Sequence, residues 1–151
     1  MDIPIRFTVG VIIYHKKLQR YLILRRNPKR YRGWGLVKGG VEPDETPEQA
    51  CLRETFEEIG VRISSDELVN LGHTSAYFDN TRQLIVLVQW FSIFFVNDFE
   101  LVLEAEEWAA HRWATYDEAQ YELAWQSQQA ALRVAHGLLF GAKKMLEEPE
   151  S

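Results

Sequence analysis

Residues 39–61, GGVEPDETPEQACLRETFEEIGV, constrain the fold more than any other stretch, because they specify a helix with both ends marked and one face under strain. Thr46 is a preferred N-cap, Pro47 suits the first helical position, where no N–H is needed, and Gln49 completes a T-x-x-Q capping box. Gly60 supplies the left-handed residue that stops a helix. The pattern predicts a helix over Pro47–Ile59. At about 100° per residue, Glu54, Glu57 and Glu58 fall on one face, and Leu52, Thr55, Phe56 and Ile59 on the other. The expectation is a buried apolar face and an acidic outer one. Like charges at i and i+4 oppose a helix by roughly 0.2–0.5 kcal/mol, so Glu54 and Glu58, with Glu57 beside them, call for a compensating cation.

With 151 residues, 46% of them hydrophobic and 13% aromatic, the chain has the material for one domain with a real core. We expect a single domain over residues 1–146 and a disordered tail over 147–151. The longest apolar run, residues 84–96, is broken by Gln89 and Ser92, is rich in β-branched and aromatic residues, and is too short to cross a bilayer. It reads as a strand. No basic segment followed by an apolar one opens the chain, and the lone Cys51 has no partner for an internal disulfide, so a cytoplasmic location with no secretory signal is expected. A net charge of −5 argues against a general nucleic-acid-binding surface, which needs excess Lys and Arg to displace counterions.

Residues 7–14 and 20–24 are β-rich runs joined by a short polar segment and read as a hairpin or as adjacent strands. Residues 25–38, RRNPKRYRGWGLVK, carry six basic residues and no acid, and Pro28, Gly33 and Gly35 mark the stretch as loop. A positive loop thus precedes an acidic helix. Beyond that helix, residues 68–78 and 82–96 form a predicted antiparallel pair with a turn near Asp79 and Asn80. Residues 97–105 are a mixed connection, and 111–114 a short strand. A helix follows, capped by Thr115 with Glu118 completing T-x-x-E. The last helix starts near Ser127 and runs towards Met145, with Ala130, Ala131, Val134, Leu138 and Met145 at helical spacing. Trp90, Trp108, Trp113 and Trp125 are assigned to packing, and His73, His111 and His136 to structure.

Hard divalent cations such as Mg²⁺ or Mn²⁺ take oxygen ligands and keep several waters, so a few carboxylates plus substrate phosphate oxygens make a natural site. The three glutamates beside a glycine turn match that chemistry. The stretch resembles the Nudix box, G-x5-E-x7-R-E-U-x-E-E-x-G-U, with Gly39, Glu45, Arg53, Glu54, Glu57, Glu58 and Gly60 at the fixed positions and Thr55 and Val61 at the U positions. The resemblance implies an α/β/α sandwich with a mixed central sheet, and metal-dependent hydrolysis of a nucleoside diphosphate linked to another group. It implies Glu54, Glu57 and Glu58 as ligands of Mg²⁺ or Mn²⁺, with the Gly39 carbonyl completing the shell. Glu57 and Glu58 would also serve in catalysis, while Glu45 and Arg53 brace the loop and helix.

A longer similarity, over residues 7–139, points to the asymmetrical diadenosine tetraphosphate hydrolase branch. It rests on W-x-x-x-K-G at 34–39, E-x-x-x-x-R-W at 107–113 and A-A-L-x-x-x-H-x-x-L at 130–139. Val37 and Gly40 depart from the proline and histidine usual in that branch. The similarity implies that Lys38 meets phosphate oxygens and that Glu107 approaches the metals as ligand or general base. Trp34 and Tyr77 are candidate stacking surfaces for a base, and Arg82 and Arg25 candidate phosphate contacts. The favoured reaction is cleavage of diadenosine tetraphosphate to ATP and AMP. The alternatives are a dATP-like nucleoside triphosphate pyrophosphohydrolase that releases pyrophosphate, and a nucleotide-sensing module without turnover. The partner is a small-molecule nucleotide, with neither nucleic acid nor membrane, and no oligomeric state is assigned.

Overall fold

The structure is a computed structural model that describes residues 2–29, 33–95 and 98–147. Seven strands form one mixed sheet: β1 (Ile5–His15), β2 (Arg20–Arg26), β3 (Trp34–Gly35), β4 (Val37–Gly40), β5 (Leu68–Asp79), β6 (Leu84–Phe95) and β7 (Trp108–Ala114). Three helices accompany it: α1 (Pro47–Ile59), α2 (Tyr116–Glu122) and α3 (Gln126–Glu147). The sheet runs β3-β2-β1-β6-β5, with β4 added beside β1 and β7 beside β2. Central β1 pairs in parallel with β6 along its whole length, from Ile5 opposite Ile85 to His15 opposite Phe95.

The other edge of β1 is shared. Thr8 to Val11 pair with β4, whereas β2 joins β1 only at Tyr14–Tyr21 and His15–Arg20 and then diverges. The sheet forks there, and β2 turns instead to β3 and β7. The fork admits side chains from α1 to the backbone of β4.

Alternation along the strands separates two cores, as period-2 side chains must on a sheet covered on both faces. Ile12, Tyr14, Trp90 and Val88 face Ala119, Leu123, Leu132 and Ala135 of the α2–α3 side. Val9, Val11, Ile13 and Phe91 face Ala50, Cys51 and Ile59 of α1. This is the α/β/α arrangement with a mixed sheet that the resemblance implies.

Both predicted capping boxes form. Gln49 N donates to Thr46 Oγ1 at 3.1 Å and Thr46 N to Gln49 Oε1 at 2.9 Å. Glu118 N and Thr115 Oγ1 are paired in the same way at 3.2 Å. Gly60 ends α1 at φ 72°, its N–H donating to Phe56 O at 2.8 Å.

Several expectations need correction. The two faces of α1 are not apolar-in and acidic-out: Glu58 is buried with Ala50, Cys51, Thr55 and Ile59, while Phe56 is exposed beneath the Arg62 guanidinium, 4.1 Å from its ring centroid. The buried stripe of the helix meets the fork of the sheet and includes one of the three carboxylates, Glu58, which accepts from the backbone of β4. Residues 25–38 are only partly loop, since they contain the end of β2, all of β3 and the start of β4, with 30–32 outside the described residues. Strand β7 begins at Trp108, three residues before the expected start. Leu138 is exposed on α3, whereas Ala131 points inward as expected, together with Gln128, Leu132 and Ala135. Met145 lies within α3, but the side chains from residue 142 onward are outside the description, as are residues 148–151 of the expected tail; Glu147 is helical.

Candidate active site

Backbone pairing of β4 with β1 places Lys38, Gly39 and Gly40 at the mouth of the fork, opposite Gly10, Val9 and Thr8. Lys38 N donates to Glu58 Oε2 at 3.1 Å, and Trp108 Nε1 donates to Glu58 Oε1 at 3.1 Å. A carboxylate that is 3% exposed is thereby held by two neutral donors. Burial pushes its pKa well above the usual range, and nearby Glu54 and Glu107 push it further, against the two hydrogen bonds.

Glu54 sits one turn earlier, with its carboxylate against the bare Cα of Gly39. A Cβ on residue 39 would stand 2.0–2.4 Å from the Glu54 carboxylate atoms, so any side chain there would displace that carboxylate. The Glu54 pKa is also raised, by burial first, with Glu57 and Glu104 adding repulsion and Arg53 opposing it. Glu57 takes a different position: it is half exposed, bonded to Arg53 Nη1 at 3.2 Å, and faces a shallower depression beside Phe56, Gly60 and Val102.

Arg53 ties these parts together. Its Nε and Nη2 grip both oxygens of Glu45 at 2.7 and 2.8 Å, Nη2 also reaches Gly40 O at 2.8 Å, and Nη1 reaches Glu54 at 2.8 Å. The Arg53 guanidinium beside it holds the Glu45 carboxyl below the usual range.

The connection after β6 returns along α1. Val102 N donates to Ile59 O and Glu104 N to Glu58 O, each at 2.9 Å, which satisfies carbonyls at the helix end and delivers Glu104 and Glu107 to the acidic cluster. Glu107 Oε1 accepts from Arg26 Nη1 at 2.8 Å, and the Arg26 guanidinium also lies 4.7 Å from the Trp108 ring centroid.

One cavity of about 1230 Å³ runs from Glu54, Glu58, Glu104 and Glu107 past Lys38 and Arg6 to Tyr77, Arg82 and Trp125. Lys38 Nζ donates to Tyr77 Oη at 2.6 Å. Arg82 is exposed and bonded to Asp79 Oδ2 at 2.7 Å.

Two predicted contacts fall elsewhere. Arg25 is exposed on the far side of β2, because neighbouring strand residues point to opposite faces, and Arg26 lines the cavity in its place. Trp34 is half-buried against the α2–α3 core, with its carbonyl accepting from Ala124 N at 3.1 Å, and does not line the cavity. Trp125, assigned to packing, is 48% exposed and does line it. Sequence reasoning also passed over Arg6 and Gln128. Strand period puts Arg25 and Arg26 on opposite faces of β2 without saying which face meets the cavity, and no sequence signal marks the others.

Among the described residues, no three His, Cys, Asp or Glu side chains already converge as a closed metal cage. The donor set nevertheless fits a hard divalent cation. Glu54 and Glu58 are oxygen donors whose pKa values are raised by burial first and by neighbouring carboxylates second, Gly39 admits the Glu54 carboxylate against its Cα, and Mg²⁺ sites use few protein ligands.

The NUDIX domain family pattern matches residues 4–134. The chain is similar to the CTP pyrophosphohydrolase of Escherichia coli (strain K12), 37% identical over 92 residues that cover 60% of this chain and 62% of that protein. It is similar to Nudix hydrolase 4 of Arabidopsis thaliana, 32% identical over 123 residues covering 76% of this chain and 58% of that one. The chain therefore spans less than two thirds of these curated relatives. Its fold is like that of a C. elegans Ap4A hydrolase in a binary complex (TM-score 0.74, 24% identity, 90% of this chain and 98% of that chain). It is also like the E. coli dihydroneopterin triphosphate pyrophosphohydrolase (TM-score 0.73, 22% identity, 87% and 96%). No described helix is long and apolar enough to cross a membrane. Proteins of the Nudix family generally act with a divalent metal on nucleotide-like substrates, and by the extent of this match the chain belongs to the Nudix family.

Proposed function

We propose that the chain is a divalent-metal-dependent pyrophosphohydrolase that cleaves a phosphoanhydride of diadenosine tetraphosphate to give ATP and AMP. The observation that carries this reading is the double use of Lys38: its N–H fixes buried Glu58, while its ammonium extends into the same cavity beside Tyr77. One residue thus couples an acidic end to a phosphate-binding wall. Three half-exposed aromatic side chains line this cavity, Tyr77, Phe78 and Trp125, and they offer stacking surfaces for more than one base.

Glu54, Glu58 and the Gly39 carbonyl would hold Mg²⁺ or Mn²⁺, with Glu57 joining them by leaving its Arg53 contact and Glu107 at the margin. Such a cation offsets charge on the phosphate chain and lowers the pKa of a water. Lys38 and Arg6 bind phosphate oxygens and orient the chain for in-line attack. Glu107, positioned by Arg26, accepts the proton of the attacking water, which requires it to come within hydrogen-bond reach.

A nucleoside triphosphate pyrophosphohydrolase is the second reading, favoured by the similarity to the E. coli CTP enzyme. A sensor without turnover has no need of so complete a carboxylate set. Chromatography of the products formed from diadenosine tetraphosphate in Mg²⁺ tests the proposal. Equimolar ATP and AMP are expected. Two ADP, or no cleavage alongside pyrophosphate release from CTP or dATP, would overturn the substrate assignment. A Glu57→Gln variant as active as the wild type would overturn the role given to the carboxylates.

A further inference from the structure

We infer that Gln128, with Trp125 one turn before it, forms a subsite that reads the adenine of the substrate, an inference that rests on the diadenosine reading above. Gln128 is 1% exposed, makes no side-chain hydrogen bond among the described residues, and keeps its buried Oε1 without a partner. Buried carboxamides in folded chains are ordinarily hydrogen-bonded, so an orphan of this kind marks a place where something else binds. The side chain lines the cavity, while its Oε1 packs against buried Gly35 of β3, where an added Cβ would stand 3.4 Å from it and 3.6 Å from Arg26 Nε, so the carboxamide turns from β3 to meet a base.

Trp125 and Gln128 are held in fixed relation by the first turn of α3, in which Gln128 N donates to Trp125 O at 3.1 Å. The exposed indole supplies a stacking plane and the carboxamide supplies the edge contact. Across the cavity, His73 Nε2 and Thr8 Oγ1 are also buried without partners among the described residues, which leaves polar groups for the sugar.

A carboxamide pairs with adenine by accepting from the 6-amino group and donating to a ring nitrogen beside it, whereas guanine presents only acceptors, O6 and N7, on the corresponding edge. An oxo group at position 6 would leave Oε1 facing another acceptor.

The test is binding of AMP and IMP, which contain no phosphoanhydride and so report on the subsite without turnover, followed by tryptophan fluorescence or calorimetry in Mg²⁺. Wild type should bind AMP about tenfold more tightly than IMP. Gln128→Leu should bring the two affinities together. Its melting temperature without nucleotide should not fall, because an apolar side chain of similar volume replaces an unsatisfied one. Trp125→Ala should weaken both ligands alike and preserve their ratio. Equal binding of AMP and IMP by wild type, or a ratio unchanged in Gln128→Leu, would overturn the inference even if diadenosine tetraphosphate is cleaved. Failure of cleavage with the AMP preference intact would instead overturn the reaction and leave the subsite standing.

Discussion

Trp108 donates its indole N–H to Glu58 Oε1 from the first residue of β7, and Lys38 donates its backbone N–H to Oε2 from β4. Two strands that do not pair with each other are thus joined through one carboxylate of α1. The contact closes the fork in the sheet and fixes the orientation of the acid that the Nudix box provides.

The raised pKa values of Glu58 and Glu54 set the pH dependence of the metal-free protein. The folded chain binds protons that the unfolded chain has released, so this contribution is fully present below the usual 4.5 and is lost as pH rises through the raised values. Glu45, held low by Arg53, works in the opposite sense and only below the usual carboxylate range. Melting curves in a chelator should show falling stability above about pH 5, and Mg²⁺ should raise the melting temperature more at pH 8 than at pH 5. A flat profile would contradict it.

Gly39→Ala places a methyl group in the Glu54 carboxylate. Displacement of that side chain should cost about 1–3 kcal/mol of stability and, by moving a metal-facing group, about 100-fold in turnover. Thermal melts and steady-state kinetics measure the two separately.

Arg53→Lys keeps the charge and loses the fork that grips Glu45, Gly40 and Glu54 together. The expected loss is about 1–3 kcal/mol by denaturant titration, because a lysine ammonium cannot reproduce the bidentate geometry. Stability equal to wild type would show that the network is ornamental.

Arg26 and Arg25 provide an internal contrast. Arg26→Ala removes the guanidinium that holds Glu107 and covers Trp108, and should lower kcat by at least about tenfold through misplacement of Glu107. Arg25→Ala, on the outer face, should leave kinetics within about twofold and stability within about 0.5 kcal/mol. Parallel assays of the pair decide whether Glu107 is positioned as described.

Lys38→Ala deletes an ammonium and its contact with Tyr77, while the backbone N–H to Glu58 remains. The melting temperature should be unchanged within a degree or two, and KM should rise by about tenfold or more, with a weaker salt dependence. A large fall in melting temperature would show that Lys38 supports the fold.

The sequence by itself determined α1, its caps and the Nudix-box spacing, because capping and helix termination depend on residues within a few positions of one another. Thr46, Gln49 and Gly60 act as their types dictate. It also determined the long apolar strand, β6, and the Thr115 cap of α2 by the same local rules. The tertiary structure decided which carboxylate is buried, which arginine of the Arg25–Arg26 pair enters the cavity, and that Trp125 rather than Trp34 stands open beside it. Those outcomes depend on where β1 divides its edge between β2 and β4, and on how the 98–107 connection docks against the end of α1. Pairing between segments far apart in the chain sets both, and no local pattern of residues encodes which side of a strand or helix will meet the fork.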